Sequence, residues 1–138
     1  MATGTAFSDD MEADILQRYL RNTTTVITST PAATVYVGLG TAGTDTGLTE
    51  PASTRAYTRQ SIGFGTVNPT GGSLTAPTAV VTFPQCTDAN WGTITHFGIY
   101  DAATAGKMLF WGALGSNVDI NINDRFEFAT NSITITVD

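Results

Sequence analysis

From Val26 to the end of the chain every apolar segment is short and tends to alternate with polar residues, and clusters of Gly, Pro, Asn or Asp interrupt each one. A period of two sends alternate side chains to opposite faces of a strand, so the pattern predicts an antiparallel β domain of seven or eight strands. Val35, Val37 and Leu39 share one face of the first, and Gly40 to Pro51 reads as a long polar loop. Tyr57, Ile62 and Phe64 fall in the second, ahead of a turn at Asn68-Pro69-Thr70-Gly71-Gly72. Ala79, Val81 and Phe83 mark the third, which Pro84 stops. The fourth runs from Gly92 to Tyr100, with Ile94, His96, Gly98 and Tyr100 on one face and Thr95, Phe97 and Ile99 on the other. Apolar residues on both faces belong to a central strand. A turn from Asp101 to Gly106 leads to Lys107–Leu114, also apolar on both faces, so these two segments are expected to form a central hairpin. Val118, Ile120 and Ile122, then Phe126 and Phe128, then Ile133, Ile135 and Val137 alternate with polar neighbours, and each set should bury one face. The expected architecture is mainly β: a two-layer antiparallel β-sandwich with Greek-key or jelly-roll connections and one N-terminal amphipathic helix.

That helix begins after Ser8, a favoured N-cap, with Asp9, Asp10 and Glu12 in its first turn and Arg18 and Arg21 in its last, so both ends complement the macrodipole. Met11, Ile15, Leu16, Tyr19 and Leu20 gather on one stripe, while Asp14 and Arg18 form an i,i+4 pair on the wet side. The helix ends near Asn22, because Thr23 to Thr25 crowd at χ1 and their hydroxyls compete for the backbone. The division is residues 1–25, an N-terminal arm and helix, and residues 26–138, the sandwich. Surface scaling lets a chain of 138 residues bury about two thirds of its surface, enough to hold a core without a disulfide or metal staple.

Charge is scarce, at 13% of residues, and its place is taken by 26 threonines. The net charge of −6 opposes the phosphate neutralisation that nucleic acid demands, so no direct nucleic-acid partner is expected. The start Met1-Ala2-Thr3-Gly4 lacks a basic segment followed by an apolar run, and no stretch reaches membrane-spanning length, so a soluble, unprocessed protein with no membrane partner is expected. One cysteine, Cys86, and one histidine, His96, cannot build a Cys/His zinc site. His96, mid-strand among Thr93, Thr95 and Phe97, is read as a partly buried ring hydrogen-bonded to a hydroxyl or carbonyl. The context of Cys86 matches no nucleophile motif. Asp88, Asp101, Asp119 and Asp124 near strand ends are read as turn residues rather than as a calcium site or glycosidase pair. The pairs Gly38/Gly40 and Gly63/Gly65 lack a third glycine and a following helix, and are read as bends or bulges. No catalytic residue, cofactor or metal ligand is assigned. Trp91, Tyr100 and Trp111 are the candidates for an aromatic surface that holds sugar rings, against packing in the core or a subunit contact. A surface this poor in charge points to coverage by neighbouring subunits.

Several segments in order resemble a family of small virion proteins of tailed bacteriophages, often labelled tail fibre proteins. They are Thr34-Val35-Tyr36-Val37-Gly38-Leu39, Ala56-Tyr57-Thr58-Arg59-Gln60, Val81-Thr82-Phe83-Pro84, Trp91 to Ala102, and Gly106 to Leu114. Where the family pattern has Gly-Asp and Ala-Gly before the last two strands, this chain has Asn123-Asp124 and Thr130-Asn131. Asn tolerates the left-handed backbone, so both turns are expected to persist. The resemblance implies a non-enzymatic virion structural protein, made in the host bacterial cytoplasm and placed on the capsid exterior or the tail. A compact 138-residue chain favours capsid decoration, or cement, over a tail-fibre or baseplate adaptor, with a carbohydrate-binding module as a further alternative. The expected partners are the chain itself, as dimer or trimer, and the major capsid protein or tail and baseplate proteins. Met11, Ile15, Leu16 and Tyr19, or the residues before the helix, are the expected docking elements.

Overall fold

The computed structural model describes residues 2–4, 6–20 and 32–136. In chain order the elements are β1 (Ala2–Gly4), β2 (Ala6–Phe7), α1 (Asp9–Tyr19), β3 (Val35–Gly40), β4 (Ala42–Thr44), β5 (Gly47–Thr49), a 3₁₀ turn at Ser53–Arg55 and β6 (Gln60–Ile62). After these come β7 (Ser73–Ala76), β8 (Val81–Thr82), β9 (Gly92–Tyr100), β10 (Met108–Ile120), β11 (Glu127–Phe128) and β12 (Ile133–Thr136). The main sheet has the order β2-β10-β9-β3-β6, with every pair antiparallel. A second sheet, β1-β12-β7, joins one parallel pair, β1 with β12, to one antiparallel pair, and β8-β11 and β4-β5 are two-stranded. The sheets pack together as a β-sandwich around one apolar cluster. Val37, Leu39, Ile94, Phe97 and Ile99 enter it from the main sheet, Ala76, Ile133 and Ile135 from the second, and Val81 and Phe128 from the β8-β11 pair. Phe83 sits among Tyr57, Trp91, Phe126 and Phe128, mostly edge to face, at centroid separations of 6.0–6.4 Å. Aromatic quadrupoles favour such offset and edge-on arrangements.

The central hairpin is present as read: β9 spans Gly92–Tyr100, lies between β10 and β3, and is covered on both faces. Phe97 and Ile99 enter the core, while the other face is covered by the β4-β5 hairpin. Gly40 to Pro51 is therefore more than a polar loop. A Cβ on Gly98 would stand 3.0 Å from Leu48 Cδ1, and one on Gly40 would stand 3.1 Å from Leu48 Cβ. Gly38 and Gly40 are accordingly regular positions of β3, paired with Gly98 and His96, and they allow close approach instead of bending the strand.

The strand pattern differs from the expectation elsewhere. Lys107–Leu114 and the Val118 segment form one strand, β10, because the step from His96 to Ile94 on β9 is matched by Ala113 to Val118 on β10. The four residues 114–117, among them Gly115, Ser116 and Asn117, stand opposite the single residue Thr95 and are absorbed as an irregularity of the ladder. Beyond it only Ile120 is buried, and Val118 and Ile122 face solvent. Tyr57 and Phe64 flank the short β6 instead of lying within it, and Ala79 is exposed ahead of β8. Ile133 and Ile135 are buried between half-buried threonines as the alternation required; Val137 lies outside the described residues. Asn123 and Asn131 adopt φ of 75° and 57°, so both turns use the left-handed backbone that asparagine accepts.

Helix α1 starts where the cap predicts: Met11 N donates to Ser8 Oγ at 3.3 Å, and Ser8 Oγ itself donates to the Met108 carbonyl. Its last described bond runs from Leu20 N to Leu16 O, and Arg21, Asn22, Thr23–Thr25 and Val26 lie outside the described residues. Asp14 is turned towards β10, where it pairs with Lys107 Nζ at 2.9 Å, so it does not lie on the wet face.

Candidate assembly surface

Two features stand apart from ordinary core packing. The first is the outward end of α1. Met11 and Ile15 are half-buried against the body of the protein, but Leu16, Tyr19 and Leu20 are 53%, 75% and 76% exposed. The apolar stripe read from the sequence is therefore split: its first half packs internally, and its last turn is left on the surface. Three large apolar side chains spaced i, i+3 and i+4 make a contiguous patch, which differs from the scattered exposed apolar residues of any surface.

The second is a polar clamp among Glu50, Tyr57, Arg59 and Tyr100. Arg59 grips Glu50 with two parallel bonds, Nε to Oε1 at 2.9 Å and Nη2 to Oε2 at 2.7 Å. Its Nη1 donates to the carbonyls of Ala102 and Ala105, and its guanidinium lies 3.4 Å from the Tyr100 ring centroid. Tyr57 OH donates to Glu50 Oε1 at 2.7 Å and accepts from Leu39 N at 2.7 Å. Burial and the adjacent Glu50 charge push the phenols of Tyr57 and Tyr100 above the usual tyrosine range. Burial works against the Arg59 charge, but the Glu50 hydrogen bond and charge outweigh it and raise its pKa. The planar fork of arginine makes this geometry possible and ties the Asp101–Gly106 turn to the main sheet. Residues 50, 57, 59 and 100 share no periodic spacing, so the sequence carries no signal for the clamp.

The aromatic candidates do not form a platform. Trp91 is 2% exposed, edge-on to Tyr57 at 5.3 Å, with its indole N–H donating to Arg55 O at 2.8 Å. Tyr100 is 4% exposed beneath Arg59. Trp111 is half-buried and stacks on His96 at 5.8 Å, with its indole nitrogen enclosed and without an acceptor. His96 is half-buried and shares a 2.7 Å bond between Nδ1 and Thr95 Oγ1, the arrangement its setting predicted. Cys86 is buried, and its Sγ lies 3.2 Å from Ala89 O. Asp101 and Asp124 accept backbone N–H groups of Lys107 and Asn121, and Asp119 accepts from Thr93 Oγ1. Asp88 is an exposed turn residue at φ 66°. These are the turn and strand-end roles that short carboxylates perform. A cleft of about 270 Å³ between the start of α1 and the β4-β5 hairpin is lined by Ser8, Asp9, Asp10, Asp45 and Lys107, among others. Among the described residues no group of three or more His, Cys, Asp or Glu is placed to hold a metal, and no helix is long and apolar enough to cross a membrane.

The fold is that of a small, mainly β domain, a β-sandwich preceded by one helix. The family model of the podophage GP4 fiber I protein gp80 matches residues 6–136, nearly the whole chain, and the chain belongs to this family of phage fibre proteins. It is thus a bacteriophage virion component. A comparison with curated proteins finds no match to it.

Proposed function

We propose that the protein is a non-enzymatic building block of the phage tail, a fibre or baseplate adaptor that self-associates and contacts neighbouring virion proteins through the exposed end of α1. The family match carries this reading, since a fibre family favours the tail-fibre alternative over the capsid decoration that chain length alone suggested. Leu16, Tyr19 and Leu20 supply the contact, because burying them on assembly removes large apolar groups from water, at about 25 cal/mol per Å². A carbohydrate-binding role loses support, since Trp91 and Tyr100 are enclosed. The test is incorporation of a Leu16→Glu/Tyr19→Glu variant into particles grown with this variant as the sole copy. Depletion from purified virions, with unchanged folding of the isolated protein, is the expected result; full incorporation refutes the contact.

A further inference from the structure

From Phe7 to Gln17, and at Tyr19 and Leu20, no residue belongs to the apolar core. The segment 2–20 is instead applied to the outside of the sandwich, and mostly through backbone. Ala2, Thr3 and Gly4 run parallel to Ile133, Thr134 and Ile135, and Ala6 and Phe7 run antiparallel to Trp111 and Phe110. Ser8 N donates to Leu109 O at 3.2 Å and Asp9 N to Asp45 O at 3.3 Å. Side-chain ties include the Phe7–Phe110 ring contact at 4.5 Å, the Ser8 bond to Met108 O and the Asp14–Lys107 pair, and Met11 and Ile15 are half-buried. The two ladders are made to strand edges, and a second copy presents the same edges.

We propose that in the assembled protein residues 2–20 of one copy dock on the β10 and β12 edges of another, exchanging N-terminal segments between chains. The inference rests on the self-association reading above and names the surface that performs it. Three observations support it. First, withdrawal of the segment bares the β10 and β12 edges, which pair with whatever matching strand is offered. Secondly, a segment from a second copy reproduces every ladder bond and the Asp14–Lys107 pair, so the exchanged and closed forms have the same contacts. Thirdly, the eleven residues 21–31 join the segment to the sandwich, and that length of chain reaches about 40 Å when extended. This matches the width of a domain of this size, whose radius of gyration is about 14 Å.

The test uses the full chain carrying Thr3→Cys and Thr134→Cys, register partners across β1 and β12, with Phe7→Cys/Phe110→Cys across β2 and β10 as a second pair. Cys86 is enclosed and does not compete. After oxidation of the assembled protein, exchange requires that most cross-linked chains run as covalent dimers or larger species on a non-reducing gel, with single-cysteine variants remaining monomeric there. A disulfide within each chain while light scattering still shows an oligomer overturns the exchange and leaves self-association standing. A disulfide within each chain in a monomeric protein overturns both. Failure of either pair to cross-link at all refutes the docked ladders on which the proposal stands.

Discussion

Replacing Gly38 by alanine probes how the main sheet and the polar clamp depend on each other. A Cβ at this position would stand 2.7 Å from Glu50 Oε1, 3.1 Å from Tyr57 OH and 3.2 Å from Tyr100 Cε2. A Cβ essentially never stands within 3.0 Å of another heavy atom, so Glu50 must retreat by a few tenths of an ångström or more. The same oxygen holds Tyr57 OH at 2.7 Å and Arg59 Nε at 2.9 Å, and the retreat stretches both bonds towards their limit. Overpacking costs about 1–3 kcal/mol and weakening a hydrogen bond to a charged group about 1.5–3, offset by the roughly 0.5–1 that alanine gains over glycine in a strand. The net expectation is a loss of about 2–4 kcal/mol, or about 6–12 °C in melting temperature for a chain of this length. Urea titration followed by tryptophan fluorescence measures it. In a Glu50→Ala background the nearest obstacle is gone and the approaches to Tyr57 and Tyr100 remain, so Gly38→Ala should there cost at least about 1 kcal/mol less than in the native chain, a coupling that a double-mutant cycle resolves. Equal costs in both backgrounds, or no cost in the native one, would refute the reasoning.

Other perturbations have defined outcomes. Tyr57 keeps its proton in the folded state to higher pH than in the unfolded chain, so its contribution is complete below about pH 10 and is lost as pH rises above that. Stability should fall by about 1.4 kcal/mol per pH unit per such group above that point, and Tyr57→Phe, less stable at neutral pH, should show a shallower alkaline decline in pH-resolved melts. Lys107 is raised first by its Asp14 hydrogen bond, with burial opposing, and this partly exposed pair is lost only above the ordinary lysine range. Its removal by Lys107→Met should cost at most about 1 kcal/mol in thermal melts. Asn131→Ala removes the short amide side chain that lets asparagine accept the left-handed backbone and forfeits the Thr75 hydroxyl bond, for a loss of about 1–2 kcal/mol, whereas Asn131→Gly should lose less because glycine has no β-carbon to strain. Chemical denaturation of both variants checks the order.

The parts legible in the sequence are those governed by local chemistry or by a long regular period. Ser8 announces the helix because a hydroxyl cap acts within its own turn, and the extent of β9 is legible because apolar residues recur on both faces from Gly92 to Tyr100. Ile94, however, joins Phe97 and Ile99 in the core instead of sharing a face with His96, since the ladder with β10 is irregular between those two residues. Ser73–Ala76 carries no strand signal because Leu74 gives no alternation, and its pairing with β12 is fixed by partners some sixty residues away. β10 was divided at Gly115-Ser116-Asn117 because a ladder irregularity and a turn use the same residues. Whether Trp91 and Tyr100 face a ligand or pack inside is open in the sequence, because exposure of an aromatic depends on what folds over it: Phe83 and Tyr57 for one, the Arg59 guanidinium for the other. The helix stripe was legible, but not its division into a packed half and an open half, which depends on how far β10 extends beneath it. β1 and β2 gave no signal, since Ala, Thr and Gly in short runs carry no periodicity.

The most direct measurement is cryo-electron microscopy of purified virions, with the copy number of this chain determined against the major capsid protein by quantitative mass spectrometry. A tail-fibre or baseplate building block requires its density on the tail and a handful of copies per particle. Density spread over the capsid shell, with hundreds of copies, would contradict the proposed role.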